Sequence, residues 1–448
     1  MQGGEGGFFE KCAEVAAYAR SFTSPTIVHH YDCDGITSGS IAALGLKKDG
    51  KFPKMVTLRK LDDQIVNELF CDKNEIVFVD FGGGCKAIDQ IKDAVVIDHH
   101  QTEGIATLQA NPQLHGLDGG AEISAAGVAY FVFGQAEWLG VVGAVGDVQA
   151  PLHGLNGKLL EIGGKNKTVS RSNGLRLYGK GTRPLKQLLL YADDPYLPGI
   201  SGNEEACSRI IESSGVEQVF GSAQRTYNDL NDEEKKKFVG NLVDALSQGR
   251  SQNVAQELFG ESYQLDIYRY TPQLYEAAEF ATLLNACGRN DKPQIGIGVC
   301  LGATGALQEA IGLLAAHRKN LQAGVTYGAK NIQDFGPFRL LDGRGVIDDG
   351  IIGVVAGMLM GGKGDRPMVA LSLDKEGQVK VSGRAKKTSI DAGINLGAAM
   401  KAAALKAGGV GGGHAQAAGC TIPNDNVDAF LATIGGVFRS QANQDYKE

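Results

Sequence analysis

The chain has one tryptophan, 12 prolines and no extended apolar run. No hydrophobic stretch reaches the ~18 residues that cross a bilayer, so no membrane span is expected. The N-terminus also lacks a basic segment followed by an apolar core, so nothing there reads as a secretory signal. Eight cysteines are scattered without a CxxC or a zinc spacing. Disulfide frameworks and structural zinc are thereby excluded, and free thiols in a reducing, cytoplasmic setting are expected. A basic excess is missing too: 44 Lys and Arg against 51 Asp and Glu give a net charge of −7. The chain as a whole therefore offers no basic footprint for nucleic acid, although local fields decide such binding. One stretch, Lys158 to Lys186, carries eight basic residues against Glu161 alone. It reads either as a solvated face or as a path for a polyanion.

What is present points to an α/β protein. At 448 residues the chain exceeds one hydrophobic core, which implies two domains with room for an insert. Three short runs rich in β-branched residues, 26–30, 75–80 and 94–98, alternate with helical segments such as 36–46 and 86–92. Continuous apolar strands between helices mark a parallel sheet covered on both faces. Ligands bind at the carboxyl ends of such strands, and all three runs end in Asp or His. Helices are expected at 124–133, 137–145, 274–286 and 306–323, and strands at 294–301 and 367–373. From Asn203 to Leu258 the β-branched runs disappear and charge rises, which reads as a helical insert or connector.

The chemistry gathers at those strand ends. His30-Tyr-Asp32-Cys-Asp34-Gly35 places three ligand-type side chains at i, i+2 and i+4. In extended backbone that spacing shares a face, and Gly35 permits the turn into a helix. Capping aspartates at a polar strand end are the plainer reading. Asp80 precedes a glycine turn, Asp98-His99-His100 closes the third run, and Asp147 ends an apolar helix. Four of the eight histidines, His29, His30, His99 and His100, lie in two of these clusters. Together the carboxylates and imidazoles suit two divalent cations roughly 3.5–4 Å apart, bridged by a carboxylate. The mixed N/O donors favour Mn²⁺ over Mg²⁺. The charges of Asp32, Asp34, Asp80 and Asp147 would cancel those of two such ions.

This ordered set resembles the motifs of the DHH phosphoesterase superfamily. The C-terminal Ser382-Gly-Arg384 and Gly411-Gly-Gly-His414 resemble the DHH-associated domain, and Asn285-Ala-Cys-Gly-Arg289 resembles archaeal RecJ-like proteins. The resemblance implies an N-terminal parallel-sheet DHH domain over 1–195, a helical connector over 196–265, and a smaller C-terminal α/β DHH-associated domain over 266–448. It implies His30, Asp32 and Asp80 on one metal, and Asp34, Asp80, His99 and Asp147 on the other. Many RecJ members carry Asp where His30 stands. His100 would contact the scissile phosphate or protonate the leaving group, with Asp98 orienting a histidine. Arg384, Gly411, Gly412, Gly413 and His414 would bind substrate, the glycines by offering backbone N–H groups to an anion. The activity implied is RecJ-like exonucleolysis of single-stranded DNA or RNA with two Mn²⁺, Mg²⁺ being an alternative. Alternatives are an oligoribonuclease or cyclic-dinucleotide phosphodiesterase, and a replisome component that binds the GINS complex.

Overall fold

The computed structural model describes residues 4–192, 195–248, 257–360 and 366–442. They belong to two compact units, Met1–Leu314 and Ala315–Glu448. In the first unit, β1 (Thr26–His30), β2 (Lys54–Leu58), β3 (Ile76–Val79), β4 (Ala94–Ile97) and β5 (Leu108–Ala110) pair in the order β2-β1-β3-β4-β5. Every pairing is parallel. Successive residues feed opposite faces, as the two-residue strand period requires. Ile27, Val77, Val79, Val95 and Ile97 enter one core; Val28, Ile76, Phe78 and Val96 enter another.

Helices α1 (Glu5–Ser21), α2 (Cys33–Lys48), α4 (Ala125–Phe133), α5 (Glu137–Gly146) and α6 (Gly154–Asn166) contribute to the first core, while α3 (Asp63–Leu69) contributes to the second. The helix expected over 86–92 is a short 3₁₀ turn, Lys86–Gln90.

Strand β6 (Val169–Leu175) leads into a segment with its own core, built around Leu188, Cys207, Ile211, Phe238 and Leu242. The helices Glu204–Ser214 and Asp232–Gln248 flank a small hairpin, β7 (Val219–Phe220) and β8 (Ala223–Gln224). The helical reading of 203–258 thus holds apart from that hairpin, and its residues 249–256 lie outside those described. Strand β9 (Phe259–Leu265) returns antiparallel to β6.

The strand expected at 294–301 is instead the helix Pro293–Cys300. A short apolar run does not distinguish a buried strand from a buried helix. Pro293 sits at the first helical turn, where its missing N–H costs nothing. This helix and its predecessor, Ala277–Arg289, pack Phe280, Leu284 and Ile297 into the first unit's core. The packing division consequently falls at Leu314 and Ala315 rather than at 266. The expected helix from Ala306 continues to Asn331.

In the second unit β10 (Ile332–Asp334), β11 (Arg339–Asp342), β12 (Met368–Leu373), β13 (Val379–Arg384), β14 (Val410–Gly413) and β15 (Ala417–Ile422) form a sheet ordered β10-β11-β12-β13-β15-β14. One face packs Val369, Leu371 and Val381 against Met400, Phe430 and Phe438. The other packs Met368 and Ala370 against Ile352 and Val355. The glycine run forms the edge strand β14, paired with β15 in the register Gly412↔Gly419. Pairing with β15 satisfies the groups on one side of this edge strand and leaves those on its other side turned outward. No described helix is long and apolar enough to cross a membrane.

Helix α5 approaches α2 and α4 closely at Gly143. A Cβ there would lie 2.4 Å from the Ala126 Cβ and 2.5 Å from Asp34 Oδ1. Gly143→Ala is expected to destabilise the protein by about 1–3 kcal/mol, the usual range for overpacking. Equilibrium urea unfolding measures it, and an unchanged midpoint would contradict the packing described.

Candidate metal centre

The strand ends of β1, β3 and β4 carry the site. His30 is the last residue of β1, and Asp32 caps α2 by accepting from the Gly35 N–H at 3.1 Å. Asp34 lies in the first turn of α2. The backbone thus leaves the extended conformation before Asp34, and the first motif does not converge on one point. It divides between two donor groups. The donor atoms of His30, Asp32 and Asp80 lie within 4.8 Å of one another, as do those of Asp34, His99 and Asp147. Asp80, Asp98, His99 and His100 form a third such group.

Asp80 follows β3 in a left-handed conformation, φ 64°, which an aspartate tolerates better than a β-branched residue. Its two oxygens face different partners. Oδ2 lies 3.3 Å from His30 Nδ1, and Oδ1 lies 3.4 Å from His99 Nε2. Asp34 is turned toward the second group by the N-terminus of α4, where the Ala125 and Ala126 N–H groups donate to its oxygens at 2.7 and 2.9 Å. Its Oδ2 is 3.8 Å from His99 Nε2. Asp147 caps the end of α5, and its Oδ2 is 3.8 Å from His99 Nδ1.

Asp98 is buried and works as an organiser. It accepts from the Gly83, His99 and His100 N–H groups at 3.0, 2.8 and 3.2 Å and lies 2.8 Å from His100 Nδ1. The His100 side chain remains 57% exposed, so its second nitrogen is accessible to a substrate. His29, the neighbour of His30 in β1, points elsewhere: it is fully buried and bonds Thr57 Oγ1 through Nε2 at 2.9 Å.

The electrostatics are those of anions crowded around a place for cations. Burial and then repulsion from Asp80 raise the Asp34 pKa well above its usual value. Burial likewise pushes Asp147 up to about 6. For Asp80 burial acts upward, yet the imidazoles of His30 and His99 hold its carboxyl below the usual range. Burial opposes charge on His30, but Asp32 and Asp80 outweigh it and raise the pKa to about 11. His99 is raised well above the imidazole value, with Asp80 and Asp34 overcoming burial. The bond to Asp98 raises His100. Asp80 Oδ2 and His99 Nε2 are buried without a hydrogen bond. Carboxylate oxygens and imidazole nitrogens turned toward one another without well-formed hydrogen bonds suit divalent cations, which would take the place of the imidazole protons. The residues fit a metal pair.

Residues that sequence reasoning left without a role surround this pocket. Asn285 Oδ1 accepts from the Cys33 N–H at 2.9 Å, tethering the loop between Asp32 and Asp34. Arg289, on the same helix, is partly buried within electrostatic reach of Asp32. Arg59 lies over the Tyr31 ring at 4.8 Å and pairs with Asp291 at 2.6 Å. The Asn285–Arg289 motif was the visible signal, but nothing in it announced a neighbour 252 residues away. Cys33 itself is buried, with its thiol 3.6 Å from the Val142 carbonyl and its pKa pushed well up by burial and by Asp34 and Asp32.

The basic stretch is less available than its composition suggests. Lys158, Arg171, Lys180 and Lys186 pair with Glu5, Glu261, Glu276 and Glu204. In the second unit, Arg384 ends β13 opposite Ala417, and the His414 N–H donates to the Ala417 carbonyl at 2.9 Å. Arg384, the end of the Gly411–Gly413 strand and His414 therefore lie at one end of that sheet.

Three family models match the chain in succession: the DHH family N-terminal domain over residues 25–142, the DHH-CID domain over 177–259 and the DHHA1 domain over 340–440. An uncharacterized protein of Methanocaldococcus jannaschii is 27% identical over 437 residues, which is 93% of each chain. Among solved structures, RecJ in complex with Mn²⁺ from Thermus thermophilus is similar with a TM-score of 0.59 and 18% identity over 97% of this chain. The match spans only 55% of that longer protein. CDC45 from Entamoeba histolytica is similar with a TM-score of 0.65 and 14% identity, over 96% of this chain and 98% of that one. An exonuclease RecJ bound to manganese gives 0.57 and 19% identity, over 97% and 94%. At these identities the structural likeness concerns the fold. With its DHH, DHH-CID and DHHA1 domains in that order on a RecJ-like fold, the chain belongs to the DHH superfamily.

Proposed function

We propose that the chain is a two-metal phosphodiesterase that degrades single-stranded nucleic acid as a RecJ-like exonuclease. The observation that carries this reading is Asp80, whose two oxygens face donors of two separate groups, as a bridging carboxylate must. His30, Asp32 and Asp80 would hold one ion, and Asp34, Asp80, His99 and Asp147 the other. Imidazole donors favour Mn²⁺ over Mg²⁺. When bound, the pair supplies Lewis acidity toward a phosphoryl group and lowers the pKa of water.

The chain's own residues supply the rest. Asp98 fixes the His100 ring through Nδ1 and raises its pKa, which suits Nε2 to donate a proton to the leaving oxygen. Arg289 offers a guanidinium near Asp32 for a substrate phosphate. Arg384 and His414, at one end of the sheet, suit further phosphate contacts. Such contacts hold a strand without reading bases. A second reading, implied by the family resemblance, is a replisome component that binds the GINS complex; the likeness to CDC45 extends to the fold. The presence of all six donor side chains weighs toward catalysis.

End-labelled single-stranded DNA and RNA, compared with two-to-five-mers, test the substrate class in Mn²⁺ after metal stripping. Processive shortening of long strands is expected, and cleavage of short oligomers alone would overturn the exonuclease reading. Asp80→Ala should abolish turnover with an unchanged circular dichroism spectrum; turnover in the metal-loaded variant would remove the bridging role. Metal binding should also release protons. His30, with a pKa of about 11, and His99, raised well above the imidazole value, both carry a proton at neutral pH until a cation displaces it. Affinity should therefore rise from about pH 6 to pH 8. Calorimetry in buffers of different ionisation heat counts the protons, and heats independent of the buffer would contradict this.

A further inference from the structure

We propose that Gln149 and Asn156 form a buried amide pair that positions His99 and Asp147 as one unit. The inference rests on the two-metal reading and extends it to residues that touch no metal. Gln149 is 5% exposed and Asn156 is fully buried. Gln149 Nε2 donates to Asp147 Oδ2 at 2.8 Å and to the Gly119 carbonyl at 2.9 Å. Its Oε1 accepts from Asn156 Nδ2 at 2.6 Å. The Asn156 N–H in turn donates to the Glu122 carbonyl at 2.8 Å, anchoring the pair to the chain just before α4.

This arrangement permits one orientation of the Gln149 amide. Flipping it would set its oxygen against a carbonyl and a carboxylate, and its nitrogen against the Asn156 donor. The Gly119 carbonyl is the hinge of the design, because it also accepts from His99 Nδ1 at 2.6 Å. A carbonyl only accepts, so Nδ1 carries the hydrogen and Nε2 is left to face Asp80 and Asp34. Glycine is required at 119, since a Cβ there would lie 1.9 Å from the His99 carbonyl oxygen. One amide nitrogen thus ties a ligand from the end of β4 to a ligand from the end of α5.

The backbone between Asp147 and Gln149 shows the same constraint. Val148 is β-branched yet adopts φ 61° with its side chain 87% exposed. A branched residue holds that conformation only when its surroundings over-determine it. The turn sends Val148 outward and returns Gln149 inward, where its N–H donates to the Ala144 carbonyl at 3.0 Å. A buried amide pair could serve packing alone, so the test must separate positioning from stability.

Calorimetric titration of the metal-stripped full chain with Mn²⁺ gives stoichiometry and affinities, and thermal unfolding of the same samples gives stability. The wild type should bind two ions; fewer would overturn the two-metal reading, whatever Gln149 does. Gln149→Met should weaken one of the two sites by about 10–100-fold, the usual effect of losing a ligand's orienting partner. It should also lower the metal-free unfolding temperature, because Asn156 is left with a buried unpaired donor. Adding Asn156→Leu removes that donor and should restore the unfolding temperature, while the affinity loss persists. A folded double variant that binds both ions as tightly as the wild type overturns the positioning role. Should the double variant not fold, Gln149→Met alone gives the same ratio, and an unchanged ratio there overturns it equally.

Discussion

The structure depends on the mutual attraction between one buried carboxylate and the imidazoles on either side of it. Asp80 sits between His30 and His99, with Asp32, Asp34 and Asp147 close behind them. Collecting that much negative charge in a low-dielectric interior is costly unless positive charge accompanies it. The raised pKa values of both histidines show protons meeting that demand where divalent ions are not bound. Protons and cations thus compete for one pocket.

The fold supplies the geometry cheaply. A parallel sheet places the carboxyl ends of neighbouring strands side by side, so His30, Asp80 and the Asp98–His100 cluster meet without long loops. The helices add direction. The start of α4 turns Asp34 through two backbone N–H groups, and the end of α5 delivers Asp147. Asp98 spends its oxygens on the backbone of its own turn and on His100. Asp32, Asp34, His99 and Asp147 are each oriented by a partner that is not itself a donor.

Much of this was legible in the residues because polar side chains that close apolar runs are seldom there for packing. The strands 26–30, 76–79 and 94–97 and the set from His30 to Asp147 follow from that logic. The division of the first motif between two groups followed from the family resemblance and not from the i, i+2, i+4 spacing, since it depends on where the backbone stops being extended. Residues 294–301 were misread because an apolar run of eight fits either regular structure. That Gly411–Gly413 forms a strand was not legible, because glycine has no strand preference and the pairing with β15 is a tertiary feature. Gln149 and Asn156 carry no motif at all; their partners are visible only in three dimensions.

Cys33, between Asp32 and Asp34, has a further consequence. Thiolates capture soft metals, and this thiol is the sulfur placed by sequence between two candidate ligands. The chain folds it inward, protonated, against the Val142 carbonyl. A soft ion arriving at the pocket would therefore meet the oxygen and nitrogen donors of the ligand set, with the sulfur that sequence places among them turned away.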